Sequence, residues 1–468
     1  MRLPSHRPFT EGRRRPRRRR PCRLRRRRRR RPRRRRRHRQ RWRDDASRGG
    51  SGGTGGGITV GGGSGTGIDI SGGDETGIKL DAGGGGNATA GGGDCPGGGG
   101  GSAGGAEFSL IWIANSPEGT VSKIDTKTGT ELGRYWSGPS EGNDDPSRTS
   151  VNLAGDVAVS NRGAGVAKIA AEEADCVDLN GNGTIETSTG PNDVLPWGTD
   201  ECVLWYQPLP GDGDNRHGPR PTAWDAGAAN NPCQPSDDRL WVGWYDPSNV
   251  GMFRRFAGAD GTQLDQVDIP NWRTTQNNEY GPYGGAVNGE GDLWIIGLWG
   301  PLAKIDGDTL VVDRWEVPDG SDPYGIALDA NGHPWTGGWN GTILHFDPDT
   351  EQFDVIPTNG DRRMRGLQVD RNGYAWIAAN NPCGVLKVDT ASMTILDDMI
   401  GLPGCSEPVG VSIDVDGNVW LPDRGASLAY KMDPNTLATT QTAGLVQPYT
   451  YSDMTGAGLG LVTNPPQG

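Results

Sequence analysis

Oxygen donors at alternate positions form the most specific chemical pattern in the chain. The phrase DLNGNGTIETST (178–189) sets Asp178, Asn180, Asn182 and Thr184 two residues apart, with Gly183 at the sixth position and Ile185 at the eighth. Such spacing turns successive side chains toward one centre, as a Ca²⁺ loop of the EF-hand kind requires. Position twelve is Thr189, not the bidentate Glu on which the affinity of such loops depends. Two readings stay open: weak Ca²⁺ binding helped by a distant acid, or an Asx-rich turn that satisfies its own amides. The metal reading is the expectation, with Asp178, Asn180, Asn182 and Thr184 as ligands.

Acid–base chemistry has few carriers. The five His are His6, His38, His217, His333 and His345, and only His217, in GDGDNRHGPR, lies in a long loop of the folded part. A general base needs a pKa near the working pH and must reach the proton it takes. Asp423 is followed by Arg424, which pushes its carboxyl toward permanent ionisation. Asp423 and His217 are therefore the two candidates for catalysis, and neither is matched to that task by its neighbours. Serine-hydrolase and P-loop motifs are absent from the sequence.

The elements that would position these residues are read from repetition. GPYGGAVNGEGDLWIIG (281–297), DPYGIALDANGHPWTGG (322–338), RMRGLQVDRNGYAWIAA (363–379) and EPVGVSIDVDGNVWLPD (407–423) each join two alternating runs through a turn. The anchors are Trp112, Ala158, Trp241, Trp294, Trp335, Trp376 and Trp420, with final spacings of 41, 41 and 44 residues. That is the period of a four-stranded propeller blade. Asn331-Gly332, Asn372-Gly373 and Asp416-Gly417 suit tight hairpins that need positive φ. A second hairpin follows the anchor in KIDTKTG, KIDGDT, HFDPDT, KVDTAS and KMDPNT, where Asp caps the turn. The spacing predicts an all-β, seven-bladed propeller of four-stranded antiparallel blades over residues 107–468. The first unit lacks its opening run, and QPYTYSDMTGAGLGLV (447–462) resembles it, so the C-terminal strand is expected to close the first blade. Between Ala158 and Trp241 the spacing is about twice the period, which predicts an inserted loop at about 171–218.

Charge divides the chain. Residues 1–43 hold 25 Arg and one acid, Glu11, although the whole 468-residue chain has a formal net charge of −10. Residues 1–48 are therefore expected to form a disordered Arg-rich tail. Two readings of it stay open: a nucleic-acid arm, or a mis-assigned gene start. Nucleic acid is not expected to bind elsewhere. Residues 49–106, with 29 of the 78 Gly in 49–105, read as a flexible linker. No run approaches the ~18 apolar residues of a membrane span, and no secretory signal is visible. The cysteines suggest two disulfides, Cys383–Cys405 and Cys176–Cys202, with Cys233 competing for Cys202. Disulfides imply an oxidising compartment, so a secreted, cell-surface or periplasmic monomer is expected.

In such a ring the ligand site is the mouth of the central channel, walled by inner-strand starts and by loops after the second strands. The inner-strand starts offer Tyr283, Tyr324, Arg365 and Tyr449. The loops past the anchors offer Asn115, Asn161, Arg162, Trp244, Tyr245, Trp339, Asn380, Asp423 and Arg424. Rings, amides and guanidinium groups suit a small polar organic molecule, a peptide or a glycan.

The phrases PYGIALDANGHPW and PVGVSIDVDGNVW resemble the repeat of the streptogramin B lyases (virginiamycin B lyase-like proteins) over about residues 107–468. The resemblance implies a seven-bladed propeller and a C–O lyase that opens a cyclic depsipeptide with Mg²⁺, His and Glu at the channel mouth. In the slot of the family's Glu this chain has Asn115, Asn161, Trp244, Gly297, Gly338, Ala379 and Asp423. The family's His beside the inner-strand Gly is replaced by Tyr283, Tyr324 and Val409. Ligand binding without the lyase chemistry is thus the expected function. A divergent, metal-assisted lyase and a protein-interaction platform are the alternatives.

Overall fold

The computed structural model describes residues 108–466 except 211–213, 215, 228–236 and 274–279. Both N-terminal segments and Cys233 lie outside the described residues. Seven antiparallel sheets follow one another along the chain. Six have four strands and open on inner strands Pro146–Val151, Thr222–Asp225, Pro282–Val287, Pro323–Leu328, Met364–Val369 and Ser412–Ile413. These are blades two to seven, and each inner strand packs against the next around a common axis.

Blade one has three regular strands, Leu110–Asn115, Thr120–Asp125 and Glu131–Trp136. Its inner edge is filled from the C-terminus. Tyr449 N donates to Ala114 O at 3.0 Å and Trp112 N to Met454 O at 2.9 Å, in antiparallel sense with an Asn115–Pro448 bridge. On its other side the segment is tied to blade two, where Thr149 N donates to Ser452 Oγ at 3.1 Å. To blade seven it is tied by Met454 N, which donates to Ser412 Oγ at 2.9 Å. The ring is therefore closed as expected.

The rest of the tail differs from the expectation. Residues 457–463, read as part of the closing strand, form the helix Ala457–Thr463. Gly456 at φ +80° turns the chain out of extended geometry, and Asp453 accepts from Gly456 N and Leu459 N at 2.9 and 3.0 Å. Leu459, Leu461 and Val462 then bury themselves against Leu328, Val369 and Trp224 on inner strands. A helix costs nothing in unpaired backbone here, because no neighbouring strand is left to pair with. It covers the end of the channel at which the inner strands finish.

Six of the seven anchors stand opposite a cation on the third strand. Trp112, Ala158, Trp241, Trp294, Trp376 and Trp420 are in register with Lys123, Lys168, Arg255, Lys304, Lys387 and Lys431. The Lys387 ammonium lies 4.8 Å from the Trp376 ring centroid and the Arg255 guanidinium 5.0 Å from that of Trp241. An acid completes several of these sets. Asp414, for example, accepts from Trp420 Nε1 at 2.9 Å and lies 3.5 Å from Lys431 Nζ. The Trp are thus packing elements of the ring, and Trp112, Trp335, Trp376 and Trp420 also donate their indole N–H.

The excursion in blade two leaves after Val166–Ile169 and returns as the outer strand Val203–Gln207, inside the span expected to be extruded. Trp205 pairs with Lys168 in the sheet, so the sequence distance hid a normal fourth strand.

Candidate functional site

A β-bulge builds the channel mouth. In blade four the register shifts between Pro282 and Gly284, and in blade five between Pro323 and Gly325, leaving Tyr283 and Tyr324 as the extra residues. The same irregularity spans Met364 to Leu367 and frees Arg365. A bulge re-aims the side chain it releases, and these three are brought together. The glycines that follow permit the crowding: a Cβ on Gly325 would meet Arg365 O at 2.7 Å.

Phenols and guanidinium groups meet in a buried cluster at the starts of the inner strands. Tyr283 Oη donates to Tyr324 Oη at 3.1 Å, and the hydroxyls of Tyr324 and Tyr449 are 2.7 Å apart. Arg365 donates from Nη1 to Tyr324 Oη at 3.1 Å, from Nε to Asn380 Oδ1 at 3.0 Å and from Nη2 to Glu407 at 2.7 Å. Arg148 lies 3.3 Å over the Tyr451 ring and donates to the Tyr451 hydroxyl and to Tyr283 O. Arg220 lies 4.7 Å over the Tyr283 ring. Trp339 stacks on Tyr324 with centroids 5.9 Å apart, and Arg365 sits 4.8 Å over it. The rim carries Arg162 and Arg424, 4.8 and 5.7 Å over the Tyr449 ring, with Arg162 also paired to Asp145. Asn380 Nδ2 is buried with no hydrogen-bond partner among the described residues.

Burial opposes ionisation of Tyr283, yet the charges of Arg220 and Arg148 outweigh it and bring the hydroxyl down to about 7. Tyr324 is displaced upward, first by burial and then by repulsion from Tyr283 and Tyr449. Tyr451 is raised by burial despite Arg148. One phenol of the set is thus poised to carry negative charge among guanidinium groups.

The other sequence candidates are placed elsewhere. Asn115 is buried, donates to Thr120 and Ser122 and accepts from Val446 N at 2.9 Å, so it anchors the closing segment. Asn161 donates to Ser137 O at 2.6 Å. Trp244 packs in an apolar cluster between blades with Leu209 and Val166. Tyr245 packs on Phe253 and Trp272, with the His217 ring 5.8 Å away. Asp423 is fully buried and accepts from Ser406 N, Glu407 N and Ala426 N at 2.8, 2.8 and 2.9 Å. Its carboxylate holds a loop beside the Cys383–Cys405 disulfide.

Arg148, Arg220, Tyr451 and Glu407 are members that the sequence reading missed. Tyr451 lies two residues beyond Tyr449, on the same face of the closing segment, which was a usable signal.

The inserted loop is curled and stapled. Asp178 accepts from Gly181 N and Gly183 N at 2.6 and 2.8 Å, and Asn182 Oδ1 accepts from Thr184 N at 2.8 Å. Asn180 and Asn182 both donate to Glu186, the ninth position of the motif. Glu201, almost wholly buried, accepts from Leu179 N and Glu186 N at 2.8 Å each. The Cys176–Cys202 bridge closes this loop, with Cα atoms 4.4 Å apart. Glu186 thus places a carboxylate against both Asn side chains of the motif.

No family model and no curated protein matches the sequence. Among solved structures the chain is similar to a virginiamycin B lyase from Staphylococcus aureus at 15% identity, over 68% of this chain and 93% of that one, with a TM-score of 0.47. A streptogramin B lyase follows at 14% identity, 66% and 86% coverage and a TM-score of 0.46. AztD from Citrobacter koseri is similar at 13% identity, over 73% and 96% of the two chains, with a TM-score of 0.44. At these identities the likeness concerns the ring of blades and assigns this chain no activity.

Proposed function

We propose that this propeller binds a polar organic molecule, a peptide or a glycan at its channel mouth, as an extracytoplasmic monomer without the lyase chemistry. One observation carries the reading: Tyr283, Tyr324, Tyr449 and Arg365 converge on the axis beside Asn380 Nδ2, a buried donor with no hydrogen-bond partner among the described residues. A buried donor without a partner is a free-energy cost that a ligand acceptor would remove. Trp339 and the rings supply faces for stacking on sugar or aromatic groups. The two disulfides support an oxidising compartment. The inserted loop, with Asp178, Asn180, Asn182, Thr184 and Glu186 as ligands, is proposed to hold Ca²⁺ as a structural ion.

The second reading, a C–O lyase on a cyclic depsipeptide, is favoured by Tyr283 alone. Elimination across an ester needs a base near neutral pKa, and Tyr283 is brought to about 7. Against it stands Asp423, the acid in the family's Glu slot, which is fully buried and has the Cys383 and Cys405 sulfurs rather than oxygen donors beside it, a set that does not fit Mg²⁺. The test is direct. Wild-type protein and Arg365→Ala are titrated with defined oligosaccharide and peptide libraries, and streptogramin B ring opening is followed with and without Mg²⁺. Binding lost in Arg365→Ala, with no turnover, supports the first reading. Turnover that disappears in Tyr283→Phe overturns it.

A further inference from the structure

Blade five breaks the cation rule of the ring. Opposite its anchor Trp335 stands His345, where the six other blades have Lys or Arg. The His345 ring lies 4.8 Å from the Trp335 ring, in the place those cations take. The same blade has a second imidazole at the tight turn. His333 Nδ1 is 3.2 Å from His345 Nε2, and the rings are tilted by 34°. Asp329 completes the group, with its carboxylate and both imidazole nitrogens within 4.8 Å of one another.

We propose that His333 Nδ1, His345 Nε2 and the Asp329 carboxylate form a binding site for Zn²⁺ on blade five. The geometry supports ligation on three counts. Two nitrogens at ~2.0–2.1 Å from a tetrahedral ion stand roughly 3.3 Å apart, close to the observed separation. His345 Nδ1 lies 3.0 Å from Asp354 Oδ2, so donation to that carboxylate leaves the Nε2 lone pair facing His333 and Asp329. A carboxylate behind a metal-facing imidazole fixes the tautomer and raises its basicity. Third, the charge balances the repeat: Asp414 in blade seven has the Lys431 ammonium at 3.5 Å, whereas in blade five the corresponding place beside Asp329 holds the His345 and His333 imidazoles and, among the described residues, no Lys or Arg is paired with Asp329. An ion there supplies the missing positive charge.

With His345 Nδ1–H donating to Asp354, the proton between the rings is that of His333 Nδ1. Ligation through His333 Nδ1 requires the tautomer with that proton on Nε2. Asp329 keeps its turn role, with Oδ1 accepting from Asn331 N and His333 N at 2.9 and 3.1 Å and Oδ2 from Trp335 Nε1 at 3.1 Å, and the remaining lone pair of Oδ2 goes to the ion. His333 is only half-buried, which leaves a fourth position open to water. Imidazole nitrogens suit Zn²⁺ better than Ca²⁺ or Mg²⁺.

The experiment uses the full chain stripped with EDTA. ZnCl₂ is titrated calorimetrically, and CoCl₂ binding is followed by visible absorption, for wild type, His345→Lys and His333→Asn. His345→Lys restores the cation of the other blades and is expected to fold, as checked by circular dichroism. Wild type is expected to bind one more equivalent of Zn²⁺ than either variant, to show tetrahedral Co²⁺ bands, and to melt higher with Zn²⁺. Asp329→Asn is expected to weaken that equivalent at least tenfold. Equal Zn²⁺ uptake by wild type and both His variants, or no Co²⁺ bands in wild type, overturns the site. Loss in one His variant alone would remove the other imidazole from the ligand set and overturn the three-ligand site as stated.

Discussion

Arg365 in blade six donates to the Tyr324 hydroxyl of blade five at 3.1 Å, so a guanidinium group links neighbouring inner strands at the axis. The same side chain reaches Glu407 of blade seven at 2.7 Å, spanning three blades in all. Burial works against its charge, but Tyr324, Tyr449 and Glu407 outweigh burial and hold Arg365 ionised. Both partners are less than a third exposed, and removing one member of such a pair leaves the other charge poorly solvated. Arg365→Met is expected to lower unfolding free energy by about 3 kcal/mol. Urea denaturation measures this, and a change below about 1 kcal/mol would show that Arg424 alone satisfies Glu407.

Tyr283 makes stability depend on pH. Its folded pKa, about 7, lies below the unfolded value of 10.0, so the unfolded chain binds more protons between them. The contribution is complete above pH 10 and is lost as pH falls through 7. Tyr324 and Tyr451 are shifted upward, and Tyr135 and Tyr206 are pushed by burial to about 12, so these four act only above pH 10. Stability attributable to these tyrosines is therefore expected to rise from pH 7 to 10. Difference absorbance near 295 nm should show one phenol ionising near neutrality in wild type and none there in Tyr283→Phe. Ionisation of every tyrosine above pH 9.5 would refute it.

Asp370 joins the turn of blade six to its anchor. It accepts from Asn372 N, Tyr374 N and Trp376 Nε1 at 2.8, 3.0 and 2.8 Å. Asp370→Ala strips three bonds and leaves a buried indole N–H unsatisfied. The expected cost is about 2–4 kcal/mol, measured as a lower urea midpoint with an unchanged m-value. Trp376→Phe removes only one of the bonds and should cost less, even with the smaller ring.

The blade period was legible because Trp376 and Trp420 recur at fixed offsets from turns that demand Asn-Gly or Asp-Gly. That local chemistry repeats, so one chain shows it several times. Closure by the tail was legible for the same reason, since PYTY copies an inner-strand start. The helix Ala457–Thr463 was not, because its apolar face is defined by Leu328 and Val369 across the channel. Of the mouth residues, Tyr283, Tyr324, Arg365, Trp339 and Asn380 meet, as their shared strand position suggests. Asn115, Trp244 and Asp423 hold the same loop positions but are consumed by packing or backbone amides. Arg148 was missed because it stands one residue beyond the bulge in an inner strand that lacks the P-Y-G phrase. The His333–His345 pair spans two strands, and only their pairing register brings it together.

The inserted loop supplies the last prediction. Asp178 is held below the usual carboxylate range, chiefly by the Gly183 amide against slight burial, so it is ionised wherever Ca²⁺ binds. Asn180 and Asn182 now spend their amides on Glu186. Ca²⁺ would draw the amide oxygens and Glu186 inward together, replacing those bonds with coordination. Cys176 and Cys202, 26 residues apart, restrict how far the loop can open in the unfolded chain. Ca²⁺ is thus expected to raise the melting temperature of the oxidised protein, and Glu186→Gln to weaken binding at least tenfold. Reduction should lower unfolding free energy by about 3 kcal/mol for this loop. Calorimetric titration with CaCl₂ before and after reduction separates the two effects. Binding unaffected by both Asp178→Asn and Glu186→Gln would reduce the loop to a turn held by its own amides.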